Sequence, residues 1–330
     1  MRLKIAAVLV VTVLCLAWVL WGIDPAVVAV SLGDFRWGYL GIVFVCYAGA
    51  HSLRVVRLRT ILGRPVPFVR LLSILSIGYL AINVVPLRMG EFVRPTLLAE
   101  KEQIPFGAGL AAIFIERLVD MFMLLGMMML VGFVVDLPEG RIVVEGIDVL
   151  RAGQRAVGTL VALGTVGLVV LLVVGEPILR LTDRLPLGSF LRRFHEGIRT
   201  LARRPAALAE VLVTSIVIWG VTILAVYVHL AAFPGLPVSL GNALTVWSVT
   251  LAGMTVAPTP GFFGGFEAFC SAGLVMLGAD ADRARTFAVL LHLGQFGFTV
   301  GAGLFFLVWE GLSLREVVGR SRASATQGAA

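Results

Sequence analysis

Apolar residues run along this chain in long, nearly unbroken stretches. Six of them, 5–23, 38–57, 106–135, 156–175, 206–230 and 286–309, are long enough to cross the core of a bilayer as helices, which takes about 20 residues. Two further stretches, 71–85 and 242–257, stop short at Pro86 and Pro258. Each is followed by a break and then by a second short helical pattern, 90–103 and 266–278. A span-length pattern cut by proline and glycine predicts a discontinuous or re-entrant hairpin. Non-helical backbone is tolerated at membrane depth only inside protein or beside a wet cavity. The pattern predicts an all-α polytopic membrane protein with six full spans and two broken helical hairpins.

The polar positions between these runs set the expected topology. Loop 58–70 carries Arg59, Arg64 and Arg70 and no acid. Segment 176–205 carries seven arginines against three acids, and the tail adds Arg315, Arg320 and Arg322 against Glu310 and Glu316. Basic loops belong on the cytoplasmic side. Segments 24–37 and 136–155 are each net −1 and are expected outside. The alternation closes only if 71–103 enters and leaves from the cytoplasm and 242–278 from outside, with both termini cytoplasmic. The order span, span, hairpin, span then occurs twice in opposite orientation, over 1–140 and 150–315, before a polar tail, 316–330. Such inverted repeats, with broken helices meeting near the midplane, are an architecture of secondary transporters.

Composition changes the picture by exclusion. Of 330 residues, 59% are hydrophobic and 14% charged, where a soluble domain carries roughly a quarter charged. Mean hydropathy is +0.98. A soluble enzyme, a disordered chain and a nucleic-acid binder with a solvated basic face are excluded. The net charge of +7 is the surplus that sets topology. Cys15, Cys46 and Cys270 lie in apolar stretches with no CxxC spacing and read as small core residues. The basic start, Met1 to Lys4, precedes an apolar run long enough to span, with no clear cleavage site after it. An uncleaved first span is expected rather than a signal peptide. Trp18, Trp21, Trp37 and Trp309 lie near run ends, as an aromatic belt requires.

The candidate chemistry gathers at the two breaks. The first reads Asn83-Val-Val-Pro86-Leu-Arg88-Met-Gly90-Glu91-Phe-Val-Arg94. The second reads Pro258-Thr-Pro260-Gly261-Phe-Phe-Gly264-Gly265-Phe266-Glu267. Proline ends the first arm by removing a donor, glycine permits the reversal, and the second arm offers free N–H groups to an anion. Glu91 and Glu267 either cap their own helices or serve as intramembrane functional acids. An arginine at depth, such as Arg88 or Arg94, costs about 2.5–3.5 kcal/mol on insertion scales, and its fork matches phosphate oxygens. The competing roles are an ion pair to Glu91 or Glu116, or snorkelling.

Span 106–135 adds Glu116, Arg117 and Asp120, with both acids on one face and Arg117 within reach of Asp120. Arg88, Arg94 and Arg117 with Glu91, Glu116, Asp120 and Glu267 make a near-neutral cluster, costly to keep for stability alone. Around it, Arg54 and Arg57 either line a cavity or snorkel, with His51 nearby. His292 and Gln295 either line the cavity or bond backbone. Asn83 bonds freed backbone at the break, and His229 reads as interfacial. The Met121–Met129 cluster reads as packing. No metal-ligand cluster, P-loop, HExxH or G-x-S-x-G occurs, so no cofactor or metal is expected and ATP is not a direct driver.

At these residues the chain resembles the lysylphosphatidylglycerol synthase transmembrane region, also called the flippase-like or UPF0104 family. The stretches "NVVPLRMGEFVR", "ERLVD" and "PTPGFFGGFE" carry the likeness, which extends over nearly the whole chain. In two-part members this region is the lipid flippase half, and a separate soluble domain makes the aminoacylated phosphatidylglycerol that it moves. The chain ends in a short polar tail, so a stand-alone member without the synthase domain is expected. Stand-alone relatives widen the candidate lipids to hopanoids and polyprenyl-linked carriers. The positions matching the motifs are Asn83, Pro86, Arg88, Gly90, Glu91, Arg94, Glu116, Arg117, Asp120, Pro258, Gly261, Gly264 and Glu267.

Together these readings predict a lipid translocase of the bacterial inner membrane. Arg88, Arg94, Arg117 and Asn83 would bind the head group in a polar cavity between the hairpins. Glu91, Glu116, Asp120 and Glu267 would meet a cation or a proton. Membrane lipids are the expected partners and nucleic acid is not; a separately encoded lipid-modifying enzyme and a homo-oligomer are compatible with the pattern. The alternatives are an intramembrane enzyme acting on a lipid head group, a small-solute transporter and a scaffold without substrate.

Overall fold

A computed structural model of the chain describes residues 25–84, 90–134, 143–144, 147–148, 155–167, 169–170, 188–256 and 260–319. The expected first span 5–23, and with it Cys15, Trp18 and Trp21, lies outside the described residues, as do Pro86, Arg88 and Pro258. The described chain is helical. In order come α1 (Pro25–Asp34), α2 (Tyr39–Leu62), α3 (Phe68–Val84), α4 (Val93–Glu102) and α5 (Phe106–Val134). Then follow α6 (Arg155–Gly167), α7 (Gly188–Ala202), α8 (Pro205–Ala232), α9 (Leu240–Val256), α10 (Gly265–Val275) and α11 (Ala281–Trp309). A two-residue antiparallel pair, Val143–Val144 with Ile147–Asp148, is a small exception to the all-helical expectation.

Three of these helices, α2, α8 and α11, are long and apolar enough to cross a membrane. Helix α5 has 29 residues, about 43 Å at 1.5 Å per residue. The chain is a helical membrane protein. Two segments read as loops contain helices. Pro25 opens α1, its fixed φ and missing donor suiting the first helical position. Within 176–205, α7 is amphipathic, with His195 and Ile198 buried and Arg193 exposed. Helix α11 starts at Ala281 rather than 286 because Asp280 caps it. Its Oδ1 accepts the backbone N–H groups of Asp282 (3.2 Å) and Arg283 (3.0 Å).

The helices on either side of both breaks are described, while 85–89 and 257–259 lie outside the described residues. Helix α3 ends at Val84, a 3₁₀ turn covers 90–92, and α4 follows. Helix α9 ends at Val256, a 3₁₀ turn covers Pro260–Phe262, and α10 follows. Glycines press the two arms of each hairpin together. A Cβ at Gly78 would lie 2.2 Å from Cγ of Arg94, and one at Gly90 would lie 2.3 Å from backbone atoms of Ala81 and Ile82. In the second hairpin Gly273 packs on Val246 and Gly253 on the Phe269 ring. In both, earlier residues of one arm meet later residues of the other, so the arms run antiparallel.

The chain divides into two compact units. One is built from described residues within 1–50, 121–160 and 219–298, the other from those within 51–120, 161–218 and 299–330. The first holds the second break, with a core of Phe233, Phe266, Phe287 and Leu291. The second holds the first break, with a core of Leu58, Ile74, Ile77 and Leu97. In this second unit Glu310, just past α11, ties α3 to α4: it accepts Ser73 Oγ at 2.6 Å and the ammonium of Lys101. Burial works to raise the Glu310 carboxyl, but the hydrogen bonds from Lys101 and Ser73 and the charges of Lys101 and Arg70 outweigh it. The group is held below the ordinary carboxylate range.

Candidate functional site

In the second unit the first hairpin delivers its charges to α5. Arg94 Nη2 donates to Glu116 Oε2 at 2.6 Å, and both residues are buried, Arg94 at 1% exposure. The Arg94 guanidinium lies 5.7 Å from the Tyr79 ring centroid, a cation–π contact from the other arm. Gly78 leaves the room its stem needs. Arg94 and Glu116, expected to face a ligand and a cavity, are instead closed on each other. A buried arginine must find a carboxylate, and one helical turn further into α5 the same logic repeats.

There Asp120 is held not by Arg117 but by Arg57 of α2. Arg57 Nη1 reaches Oδ1 at 2.7 Å and Nη2 reaches Oδ2 at 3.2 Å, a two-pronged fork. Arg57 Nη1 also donates to Ser215 Oγ of α8 at 3.1 Å, and Arg57 Nε lies 3.8 Å from Glu116 Oε1. At 1% exposure Arg57 does not snorkel. Released from Asp120, Arg117 faces Glu91 at a loose 3.8 Å, and both side chains are open to solvent, at 39% and 30%. Arg54 lies one turn before Arg57 on the same face of α2 and is half-buried. Among the described residues no carboxylate pairs with it.

The result is a graded network. Its inner pairs, Arg94–Glu116 and Arg57–Asp120, are closed. Its outer members, Arg117, Glu91 and Arg54, are partly open. Four arginines stand against three carboxylates, leaving one positive charge over. Beside it His51 Nε2 lies 2.8 Å from Ser76 Oγ. The Ser76 hydroxyl proton is spent on the Leu72 carbonyl at 2.7 Å, so the imidazole nitrogen is the donor. Asn83, expected to reach the break or a head group, donates Nδ2 to the Tyr79 carbonyl at 2.8 Å inside its own helix.

In the first unit the second break builds a different centre. Gly264 (φ 82) and Gly261 (φ 59) supply the left-handed backbone of the turn, Pro260 opens it and Gly265 begins α10. The carboxylate of Glu267 reaches back so that the Gly264 N–H donates to Oε2 at 2.7 Å, one half of a capping box. Its other oxygen, Oε1, lies 2.7 Å from His292 Nδ1 of α11. Both side chains are buried, and the imidazole stacks on Phe266 at 4.4 Å and 15°. Glu267 thus caps its own helix and also makes a buried contact with His292. Gln295 lies partly buried one turn along α11. His229, expected at an interface, is buried among Phe35, Phe233 and Phe287. Cys46 and Cys270 are buried and free.

Buried ion pairs on apolar helices, organised around two proline-glycine breaks, define a polytopic membrane protein that retains charge at depth. The chain belongs to the lysylphosphatidylglycerol synthase TM region family, whose model matches residues 4–303. It is 26% identical to a glycosyltransferase, AglD, of Haloferax volcanii over 97% of this chain and 56% of that protein. The chain thus spans little more than half the length of that relative. No solved structure matches the chain.

Proposed function

We propose that the chain is a lipid translocase that moves a polar-headed lipid, such as aminoacylated phosphatidylglycerol, from one leaflet to the other. The observation that carries this reading is the grading of the arginine network. Its inner charges are answered, while Arg54 and Arg117 are partly open and the group carries one positive charge over. An open guanidinium fork suits a lipid phosphate, and Glu91 suits a cationic group on the same head. Arg88 is assigned to the same phosphate. The topology proposed with it is six spans, two re-entrant hairpins and inverted halves 1–140 and 150–315, with both termini cytoplasmic in a bacterial inner membrane.

The pair Glu267–His292 is assigned to proton exchange, since no arginine among the described residues clamps its charge state. Glu116 and Asp120, each bonded to an arginine, are assigned to scaffolding. Transport is then downhill or proton-coupled. The test is a translocation assay with labelled lipid in proteoliposomes, with and without a pH gradient. Arg117→Ala and Arg88→Ala are expected to slow movement in both conditions. Wild-type movement by both variants would remove the head-group assignment.

A second reading is an intramembrane enzyme acting on a lipid head group. The relative named a glycosyltransferase and the carboxyl–imidazole pair, competent for proton transfer, both favour it. Conversion of a labelled lipid to a new species by the purified chain would select this reading.

A further inference from the structure

The end of α2 and the start of α8 enclose a cavity of about 350 Å³ whose polar wall includes Arg59, Arg64, Arg204 and Glu210. None of the roles above uses it. Its one carboxylate is Glu210, whose Oε1 lies 2.7 Å from Thr60 Oγ1. Among the described residues none of the three arginines pairs with a carboxylate. The cavity therefore holds two positive charges in excess.

The arrangement is shaped as well as charged. Gly63 closes α2 with φ 64 and donates its N–H to the Arg59 carbonyl at 3.1 Å. A Cβ at Gly63 would lie 2.5 Å from Arg204 Nη1, so the turn leaves room for that guanidinium over bare backbone. The apolar part of the wall is Val56 and Phe68, both exposed. Leu208 and Leu212, one and two turns along from Arg204, are exposed too. The polar cup thus continues into an apolar strip along two helices of spanning length.

We propose that this cup binds the phosphate of an anionic phospholipid, whose acyl chains lie on the Val56 and Leu208–Leu212 strip. This lipid is held by the protein and is distinct from the one moved. Basic pockets between spanning helices recognise lipid head groups in this way. The fork of Arg204 supplies geometry that diffuse positive charge does not. The apolar strip on the same faces selects a lipid over a free anion.

The experiment is native mass spectrometry of the full chain in detergent, titrated with phosphatidylglycerol or phosphatidylcholine, with inorganic phosphate as competitor. Wild type is expected to retain phosphatidylglycerol over phosphatidylcholine and to keep it when phosphate is added. Arg64→Ala is expected to weaken retention about fivefold, one surface arginine's worth. Arg204→Lys and Gly63→Ala leave the net charge unchanged, yet are expected to weaken it as well. Arg204 is exposed, so its lysine variant keeps the fold, and thermal unfolding checks this for all three. Wild-type retention by both charge-preserving variants would overturn the site in favour of general attraction to basic loops. Displacement by inorganic phosphate would overturn the lipid as occupant.

Discussion

The two breaks follow one grammar, Pro then Gly then Glu, and produce opposite chemistry. At the first, Glu91 sits in the 3₁₀ turn before α4, whose N-cap, Phe92, makes no side-chain cap. Its carboxylate is left to face Arg117. At the second, Glu267 sits at the third position of α10 and spends one oxygen on the Gly264 N–H. The helix that follows each hairpin completes the difference. Helix α5 brings Glu116 and Asp120 to arginines, whereas α11 brings a single imidazole to a carboxylate. A break in a membrane helix supplies a place for charge, and the neighbouring helix decides whether that charge meets a guanidinium or an imidazole.

The two breaks should part most widely in stability. Arg94→Ala leaves Glu116 buried without its closest partner, and the loss expected is about 3–5 kcal/mol. Thermal unfolding in detergent reads it, and Arg94→Met combined with Glu116→Leu should recover most of it. Glu267→Ala removes a cap and the His292 contact, for about 1–2 kcal/mol. Equal losses at the two sites would dissolve the distinction. The glycine contacts come next. Gly90→Ala drives a methyl group into backbone, and Gly253→Ala drives one into the Phe269 ring, which can turn. Both should cost about 1–3 kcal/mol, with Gly90→Ala the worse.

Smaller in stability, and sharper in function, is Glu267→Gln. An amide oxygen still accepts the Gly264 N–H, so the unfolding midpoint should stay near wild type while the response of translocation to a pH gradient disappears. A retained response would move proton exchange elsewhere. The least effect lies outside both breaks. The Glu310 carboxyl is depressed in the folded chain, so its stabilisation is complete above the ordinary glutamate value of about 4.3 and fades as pH falls through the lower folded value. Lys101→Met should flatten that acid-side loss in a series of unfolding curves. An unchanged slope would mean that the Lys101 tie adds nothing.

Much of this was legible in the sequence because proline and glycine write helix ends directly. The arms of both hairpins begin and end within a few residues of the expected positions. The spacing from glycine to glutamate also carried information. Three residues from Gly264 to Glu267 is capping-box spacing, while one from Gly90 to Glu91 is not. What the pattern did not carry was pairing across distance. Arg57 looks like a snorkelling side chain beside Arg54, because both positions fall near a span end. Only the packing of α5 and α8 turns one inward. The available signal was an excess of acids on one face of α5, which called for one more arginine than the motif contained. Glu267 and His292 were each singled out, but a contact between residues on different helices has no local signature.

Arg57 also has a history within the life of each molecule. Its partners Asp120 and Ser215 come 63 and 158 residues later in the chain. At about 5–20 residues per second, the ribosome reaches the first roughly 3–13 s, and the second roughly 8–32 s, after making Arg57. Until then the Arg57 guanidinium lacks both partners, a burden of about 2.5–3.5 kcal/mol to a helix entering the bilayer by itself. Helix α2 thus carries a charge that only later-made helices, α5 and α8, can answer.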